Sequence, residues 1–156
     1  MTPAGGGFGP VTDYLPHRPP MLLIDDIVEV TDQRAVCRAT IHPDCVFAID
    51  GVVHPSAMIE FVAQACAIHL GVRSAQGGEP PRLGLIVSCR EVALDVDHLA
   101  VGDELTIVAE RVFGRTQVAA FIGTVTRGEL RCATVELSVV DGELAGSPPP
   151  PETTDE

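Results

Sequence analysis

The sequence contains no lysine, and its ten basic residues, all of them arginine, stand against 22 aspartate and glutamate residues. The formal net charge is −12 at pH 7. Proteins that bind nucleic acids or anionic membranes present a basic surface to them. The charge therefore argues against both as partners. Residues 143–156 carry part of the acidity, yet the rest of the chain is still acidic.

The sequence also lacks the segments that direct a chain into or across a membrane. No apolar run reaches the roughly 20 residues that span a bilayer, and the first ten residues have neither the basic nor the apolar region of a signal peptide. Cysteine is scarce and odd in number, and its apolar neighbours indicate small buried side chains in a reducing compartment. The five are Cys37, Cys45, Cys66, Cys89 and Cys132. We expect a cytoplasmic protein.

The length of 156 residues predicts one domain. We expect a flexible, glycine-rich N-terminus over residues 1–13 and a single domain over residues 14–141. Residues 142–156 are rich in proline and acidic residues, a composition that cannot build a core, and they are predicted to form a disordered tail.

Residues 55–71 are apolar on almost every side of a helix, apart from three polar positions. Such a helix is buried, because none of its faces is suited to water. Proline is favoured at the first helical position and glycine just beyond the last one. Pro55 and Gly71 therefore predict where this helix begins and ends.

Glu60 is the informative polar residue of this helix, because a buried carboxylate is costly unless it is paired or used. Gln64 lies one turn further along on the same face, where it can share hydrogen bonds with Glu60. A structural role, with the carboxylate satisfied by Gln64 and backbone groups, and a catalytic role both remain open. His69 lies on about the opposite face and is expected to face a partner helix or solvent.

Two strand-like segments precede the helix, at residues 21–30 and 34–41, and residues 42–53 are predicted to form a loop. Four more follow it, with one of the intervening turns at Gly114 and Arg115: 83–95, 104–113, 117–127 and 130–140. A helix that is apolar all round must be wrapped, and a curved antiparallel sheet can wrap it. The order predicts an α+β protein with the hotdog fold, in which about six strands wrap a long central helix. Sheet edges in such a fold are commonly closed by a second copy.

The motif Leu-Pro-His-Arg-Pro-Pro-Met-Leu-Leu-Ile-Asp at residues 15–25, hereafter the N-terminal motif, leads into the first predicted strand. Together with Glu-Phe-Val-Ala-Gln-Ala at residues 60–65, it resembles the hotdog dehydratases that act on 3-hydroxyacyl chains carried by acyl carrier protein. The resemblance covers residues 15–140. The sequence pattern Leu-Pro-His-x-x-Pro-Met-Leu-Leu most resembles that of the dehydratase-like proteins of aryl-polyene biosynthetic clusters.

This resemblance implies the dehydration of a 3-hydroxyacyl thioester to a trans-2-enoyl thioester, with Glu60 at the position of the family's catalytic acid. The family's histidine base acts across a dimer interface and belongs to a His-Phe-Pro-Gly segment. The equivalent spacing here falls near Val46, where no such segment is present. We predict that His54, at the mouth of the helix, is the substitute base.

The resemblance also implies a substrate-binding set. In the family, backbone N–H groups at the start of the helix polarise the thioester. Pro55 has no N–H group, so Ser56 is the predicted donor. Met58 and Phe61 are predicted core residues that can also line an acyl tunnel, and Gln64 accompanies them.

No metal ion and no cofactor are expected. A group of potential ligands precedes the helix, but its spacing fits no standard zinc pattern: His42, Asp44, Cys45, Asp50 and His54. His17, in the N-terminal motif, is predicted to be a packed structural ring, and His98 to be solvated.

Three functions are consistent with these features. The first is a lyase that dehydrates 3-hydroxyacyl thioesters in fatty-acid or polyene-type biosynthesis, with Glu60 as acid and His54 as base. The second is a catalytically weak or silent hotdog subunit that pairs with an active dehydratase. The third is an acyl thioesterase, in which Glu60 would direct a water molecule. Fold alone does not choose among them.

The expected partners are an acyl carrier protein or a coenzyme A thioester, and a second hotdog subunit in a homodimer or heterodimer. Acyl carrier proteins are strongly acidic, so a docking surface for one should be basic. A local group of arginines could supply it: Arg73, Arg82, Arg90, Arg111 and Arg115. A coenzyme A thioester, or docking by another subunit, would also resolve the conflict with an acidic chain.

Overall fold

The structure, a computed structural model, describes residues 7–79, 84–115 and 118–141. They form one long α-helix, nine strands and two 3-10 turns. The turns are Val11–Asp13 and Pro55–Ala57, and the helix α1 is Met58–Gln76. The strands are β1 (Asp26–Val30), β2 (Arg34–Thr40), β3 (Ala48–Ile49), β4 (Val52–Val53), β5 (Gly84–Leu94), β6 (Leu99–Ala100), β7 (Glu104–Arg115), β8 (Val118–Arg127) and β9 (Leu130–Asp141).

Six of the strands form one antiparallel sheet in the order β1-β2-β7-β8-β9-β5. The helix α1 packs on this sheet against β2, β7, β8 and β9. Register shifts interrupt four of the strand pairs, and such bulges bend and twist the strands that carry them. This arrangement confirms the predicted hotdog fold.

The predicted burial of α1 is also confirmed, since its core positions include Met58, Phe61, Val62 and Ile68, all at most 1% exposed. By length and composition, Pro55–Gln76 resembles a membrane span, but 67% of the apolar 18-residue window within it is buried inside the fold. It is the core helix of this domain.

Two glycines let the helix approach its neighbours closely. A Cβ on Gly123 of β8 would lie 2.2 Å from Cγ1 of Val62, and a Cβ on Gly71 would lie 2.1 Å from the carbonyl oxygen of Tyr14. The prediction that α1 ends at Gly71 is therefore wrong. The helix continues to Gln76 and ends at Gly77, and Gly71 is required for close packing inside it rather than for the end of the helix.

Several predicted boundaries also differ from the structure. The first strand begins at Asp26 rather than at residue 21, because backbone groups before it bond to the side chain of Gln64. The predicted loop over residues 42–53 contains β3 and β4, which join β6 in a small second sheet.

The remaining differences concern the ends of the domain and one turn. Gly114 and Arg115, predicted as a turn, belong to β7. Val11 is 7% exposed within its 3-10 turn, so folded structure begins ahead of the predicted boundary at residue 14. The predicted tail over residues 142–156 lies outside the described residues.

The strand β5 forms one edge of the sheet and pairs there with β9. Almost all of its residues are exposed, and five are large and apolar: Leu85, Ile86, Val87, Val92 and Leu94. This exposure explains why the prediction of buried cysteines is wrong for Cys89, which lies on β5. Cys37, Cys66 and Cys132 are buried as predicted, and burial raises the pKa of the Cys37 thiol to about 12.

Candidate active site

Glu60 lies in the first turn of α1, and 28% of its side chain is exposed. The prediction of a buried carboxylate is therefore wrong, since Glu60 lies at the boundary between core and solvent. Its expected hydrogen bond is present, and Nε2 of Gln64 donates to Oε1 of Glu60 over 2.9 Å. One oxygen of the carboxylate is thereby held in place.

Gln64 joins the helix to the N-terminal motif. It is fully buried, its Oε1 accepts the N–H of Leu23 at 2.9 Å, and its Nε2 also donates to the carbonyl oxygen of Met21 at 2.7 Å. Because a backbone N–H can only donate, the amide oxygen must face Leu23 and the amide nitrogen must face Glu60. The Gln64 side chain thus fixes the motif and the carboxylate at once.

This attachment brings His17 to Glu60. The motif crosses α1 with Met21 and Leu23 at Gln64, and His17, which precedes them, lies beside the residue one turn before Gln64. The distance from Nε2 of His17 to Oε1 of Glu60 is 3.6 Å, which is within ion-pair range but too long for a hydrogen bond. Catalytic contacts are often this loose without substrate.

The ring of His17 is only 27% exposed, and its buried Nδ1 has no hydrogen-bond partner among the described residues. Arg18 fixes the backbone around it by donating to the carbonyl oxygens of Leu15 and His17, each at 2.8 Å. His17 was predicted to be a packed structural ring, and its position beside Glu60 could not be read from the sequence. The available signal was its place in a proline-rich motif that forms no strand.

His54 occupies a different position, as the residue that caps the 3-10 turn leading into α1. Its Nδ1 accepts the backbone N–H of Ser56 at 3.2 Å and lies 2.7 Å from Oγ of Ser56. Because that N–H can only donate, Nδ1 carries the lone pair and the proton of the neutral ring lies on Nε2. Within one chain, the structure brings His17 rather than His54 to Glu60.

The capping contact also engages the predicted thioester donor, because the N–H of Ser56 is already bonded to His54. Met58 and Phe61 are 0% and 1% exposed, so both are core residues in the single chain. The substrate-binding roles of these residues, and the use of His54 as a base by a partner subunit, stay predictions.

His69 is fully buried, contrary to the prediction that it faces a partner helix or solvent. Its Nε2 lies 2.9 Å from the carbonyl oxygen of Thr31, to which it donates, and its ring meets Phe121 edge to face with centroids 5.5 Å apart. Burial lowers the pKa of His69, and in the part of the chain that the structure describes its Nδ1 has no hydrogen-bond partner. Through its hydrogen bond to Thr31, the ring connects α1 to the turn between β1 and β2.

The residues considered as a metal cluster do not converge. Within residues 7–79, 84–115 and 118–141, no three His, Cys, Asp or Glu side chains are arranged to hold a metal ion. His42 pairs instead with Asp25. His98 is exposed, in agreement with the prediction that it is solvated.

Comparison with known proteins supports the fold and indicates a family. A family model described as ApeP-like, ApeP dehydratase, matches residues 9–147. The dehydratase heterocomplex ApeI:P from Xenorhabdus doucetiae is similar in structure, with a TM-score of 0.82 and 24% identity over 90% of this chain and 99% of that chain. No curated protein matches the sequence.

More distant structures share the fold. An uncharacterized protein, PH1136, from Pyrococcus horikoshii has a TM-score of 0.62 and 14% identity over 87% of this chain and 96% of its own. A hypothetical thioesterase with coenzyme A from Streptococcus pneumoniae TIGR4 has a TM-score of 0.57 and 12% identity over 74% of this chain and 84% of its own. At these identities the likeness concerns the fold alone.

Proposed function

The chain belongs to the ApeP-like dehydratase family, and we propose that it dehydrates 3-hydroxyacyl thioesters to trans-2-enoyl thioesters in the cytoplasm. The observation that supports this reaction best is the pairing of His17 with Glu60 at 3.6 Å. An imidazole and a carboxyl group are the two proton-transfer groups that such a dehydration requires.

In the proposed reaction, His17 takes a proton from C2 of the substrate and the electron pair of that C–H bond forms the C2–C3 double bond. The C3–O bond breaks at the same time, and Glu60 gives its proton to the departing hydroxyl, which leaves as water. After this step the C2 proton is on His17 and the water contains the proton that Glu60 gave. Transfer of a proton from His17 to Glu60 restores both groups and closes the cycle. No cofactor is needed for the proton balance.

The contacts of Glu60 distinguish its two oxygens. Oε1 accepts from Gln64 and faces His17, whereas Oε2 has no hydrogen bond among the described residues. We propose that Oε2 carries the catalytic proton and faces the substrate hydroxyl. Because the His17 ring and the Glu60 carboxyl group lie so close together, the C2 proton and the C3 hydroxyl would leave from the same face of the substrate.

A second hotdog subunit is the proposed protein partner. The edge strand β5 exposes backbone groups together with the apolar side chains of Leu85, Ile86 and Val87, which are 39%, 46% and 56% exposed. An edge of this kind favours pairing with another strand. The ApeI:P structure is named as a heterocomplex, which supports a different subunit as the partner.

The charges of the chain bear on the thioester carrier. Of the arginines predicted to form a docking patch, Arg73 forms an ion pair with Asp32, and Arg82 lies outside the described residues. Arg127, which is not one of the predicted arginines, is paired with Asp103 at 2.8 Å. We propose that docking of an acyl carrier protein relies on the partner subunit, and that a coenzyme A thioester is accepted without it.

The second candidate function is a silent subunit that supports an active dehydratase. Two observations favour it. The Nδ1 of His54 already accepts a hydrogen bond from the N–H of Ser56, and the His-Phe-Pro-Gly segment is missing. In that case His17 and Glu60 would hold the N-terminal motif on α1 and would not meet the substrate.

Turnover of a 3-hydroxyacyl thioester, on acyl carrier protein and on coenzyme A, tests the proposal. The chain would be assayed alone and mixed with an active hotdog dehydratase subunit. We expect wild-type activity, its loss in Glu60→Gln, and its retention in Glu129→Gln, a matched change at an exposed turn. If Glu60→Gln leaves the activity of every mixture unchanged, the chain is the silent subunit.

A further inference from the structure

A cavity of about 230 Å³ lies on the side of the N-terminal motif, apart from the His17–Glu60 pair, neither of whose residues lines it. Most of its wall is apolar and comes from Pro19, Pro20, Leu22, Leu23, Ile24 and Phe61. The rest of its lining is polar and comes from Asp25 at the end of the N-terminal motif, from the end of β2 and from the turn that follows it. An apolar pocket with a few convergent polar groups is the usual form of a small-molecule site.

The polar lining is organised by Asp25, both of whose oxygens are engaged. Oδ1 lies 2.8 Å from Nε2 of His42, and Oδ2 accepts the backbone N–H of Thr40 at 2.6 Å. Because an ionised carboxylate only accepts, Nε2 of His42 must carry a proton and donate it. The hydrogen bond to Asp25 and the charge of Asp25 raise the pKa of His42, which favours the imidazolium form.

The Asp25–His42 pair leaves one ring nitrogen available. Nδ1 of His42 has no hydrogen-bond partner among the described residues, and in the imidazolium form it is a donor. Both side chains are about half exposed, at 42% and 53%. A pair so exposed contributes little to stability, so the fold does not explain it.

Charge and size limit what the cavity can hold. The two carboxylates of Asp25 and Asp44 and the single imidazolium of His42 leave the lining with a net negative charge. An anionic ligand would therefore be repelled. A donor at Nδ1 favours a ligand with an acceptor oxygen. A dry protein cavity of about 150 Å³ holds benzene, so the present volume suits a somewhat larger apolar group.

We infer that this cavity is a second binding site, which takes a neutral apolar group that bears a carbonyl oxygen and accepts a hydrogen bond from His42. A free ketone and the acyl part of a thioester share this chemistry. The inference does not depend on the dehydration proposed for His17 and Glu60, because its residues are separate from that pair.

The half-buried thiol of Cys45, which lines the cavity, provides a direct readout. The intact protein would be alkylated with iodoacetamide in the presence of cyclohexanone, cyclohexanecarboxylate or hexanoyl-coenzyme A, and the modification of each cysteine followed by mass spectrometry. At a ligand concentration of about ten times Kd, the rate at Cys45 should fall about tenfold, because only the free fraction reacts. Cys89, exposed on β5, is the internal control.

We expect cyclohexanone to protect Cys45, cyclohexanecarboxylate to protect it far less, and Cys89 to react at an unchanged rate. Protection should be lost in His42→Ala and kept in His98→Ala, a matched change at another exposed histidine. Protection by hexanoyl-coenzyme A alone would still support the site and would identify a carrier-bound acyl group as its ligand. The inference is overturned if no carbonyl compound protects Cys45, if the carboxylate protects it equally, or if His42→Ala retains the effect.

Discussion

Nε2 of His17 lies 3.6 Å from Oε1 of Glu60, although one residue belongs to the N-terminal motif and the other to α1. The two are held together by Gln64, which bonds to Met21 and Leu23 of the motif and to Glu60 of the helix. The proposed active site thus depends on a fully buried amide that does not itself meet the substrate.

Replacing Gln64 should therefore impair both stability and activity. In Gln64→Leu, the buried N–H of Leu23 and carbonyl of Met21 lose their partner, and we expect a loss of about 1–3 kcal/mol in the free energy of unfolding. The motif should also shift relative to Glu60, so kcat should fall more than stability alone explains. Urea unfolding and steady-state kinetics at a temperature where the variant stays folded would measure the two effects.

Gln76→Leu is the matched control, because Gln76 is the exposed last residue of the same helix. It should change neither quantity appreciably. A Gln64→Leu protein with wild-type kcat and KM would show that the amide does not position the pair.

The close contact of Gly71 with Tyr14 predicts a packing defect. In Gly71→Ala, the new methyl group would meet a backbone oxygen, which cannot move aside as a flexible side chain can, and we expect a net loss of about 1–3 kcal/mol in unfolding free energy. Gly77→Ala should be nearly neutral, since φ is −86° and the added Cβ would lie 3.4 Å from the nearest atom. Thermal unfolding of both variants decides the point, and equal stabilities would refute it.

Burial of His69 predicts a dependence of stability on pH. Burial, and then the charges of Arg111 and Arg73, hold the pKa of His69 below its ordinary value of 6.5, against the bonds it makes to the backbone of Thr31 and Asp32. Below pH 6.5 the unfolded chain binds more protons at this residue than the folded protein does. The contribution is therefore fully present above pH 6.5 and is lost as the pH falls through the window beneath it.

Urea unfolding between about pH 7.5 and pH 5 would reveal this contribution. The difference in unfolding free energy between wild type and His69→Leu should shrink on acidification. Only the wild type has the imidazole, and its protonation favours the unfolded chain. The difference between wild type and Gln76→Leu, which removes no titratable group, should stay constant. A difference for His69→Leu that is independent of pH would contradict the assignment.

The exposed edge of β5 predicts the effect of a charge placed on it. In Ile86→Asp, the carboxylate would have to be desolvated in the paired edge, so we expect association with a second hotdog subunit to weaken by about tenfold or more, equivalent to about 1.4 kcal/mol. Analytical ultracentrifugation of the chain alone and of the mixture would measure it. Leu130→Asp, at an exposed apolar residue in another strand, should have no effect, and equal loss in both would remove β5 from the interface.

The parts of the molecule that were predictable from sequence are those set by local periodicity. The apolar surface of α1 predicts its burial, and the spacing of Glu60 and Gln64 places them on one face, where the structure shows their hydrogen bond. The strand order around that helix was sufficient for the hotdog fold.

The rest depends on contacts between distant segments. The side chain of Gln64 bonds to backbone groups of the motif and so brings His17 to the helix, a contact that no spacing in the sequence reveals. In the sequence Gly71 is typical of a helix end, and only its contact with Tyr14 in the fold shows that it serves close packing. The sequence suggests that His54 is a free base, whereas in the structure its ring caps the 3-10 turn by accepting the N–H of Ser56.

His17 and Glu60 form the proposed proton-transfer pair, and the most direct test of that pair compares His17→Ala, Glu60→Gln and His54→Ala. The measurement is kcat/KM for a 3-hydroxyacyl thioester with the second hotdog subunit present, alongside thermal unfolding to confirm the fold. We predict that His17→Ala and Glu60→Gln lose about a hundredfold or more, in line with general acid–base catalysis, while His54→Ala stays close to wild type. Full activity in His17→Ala, with the loss found in His54→Ala instead, would contradict the account.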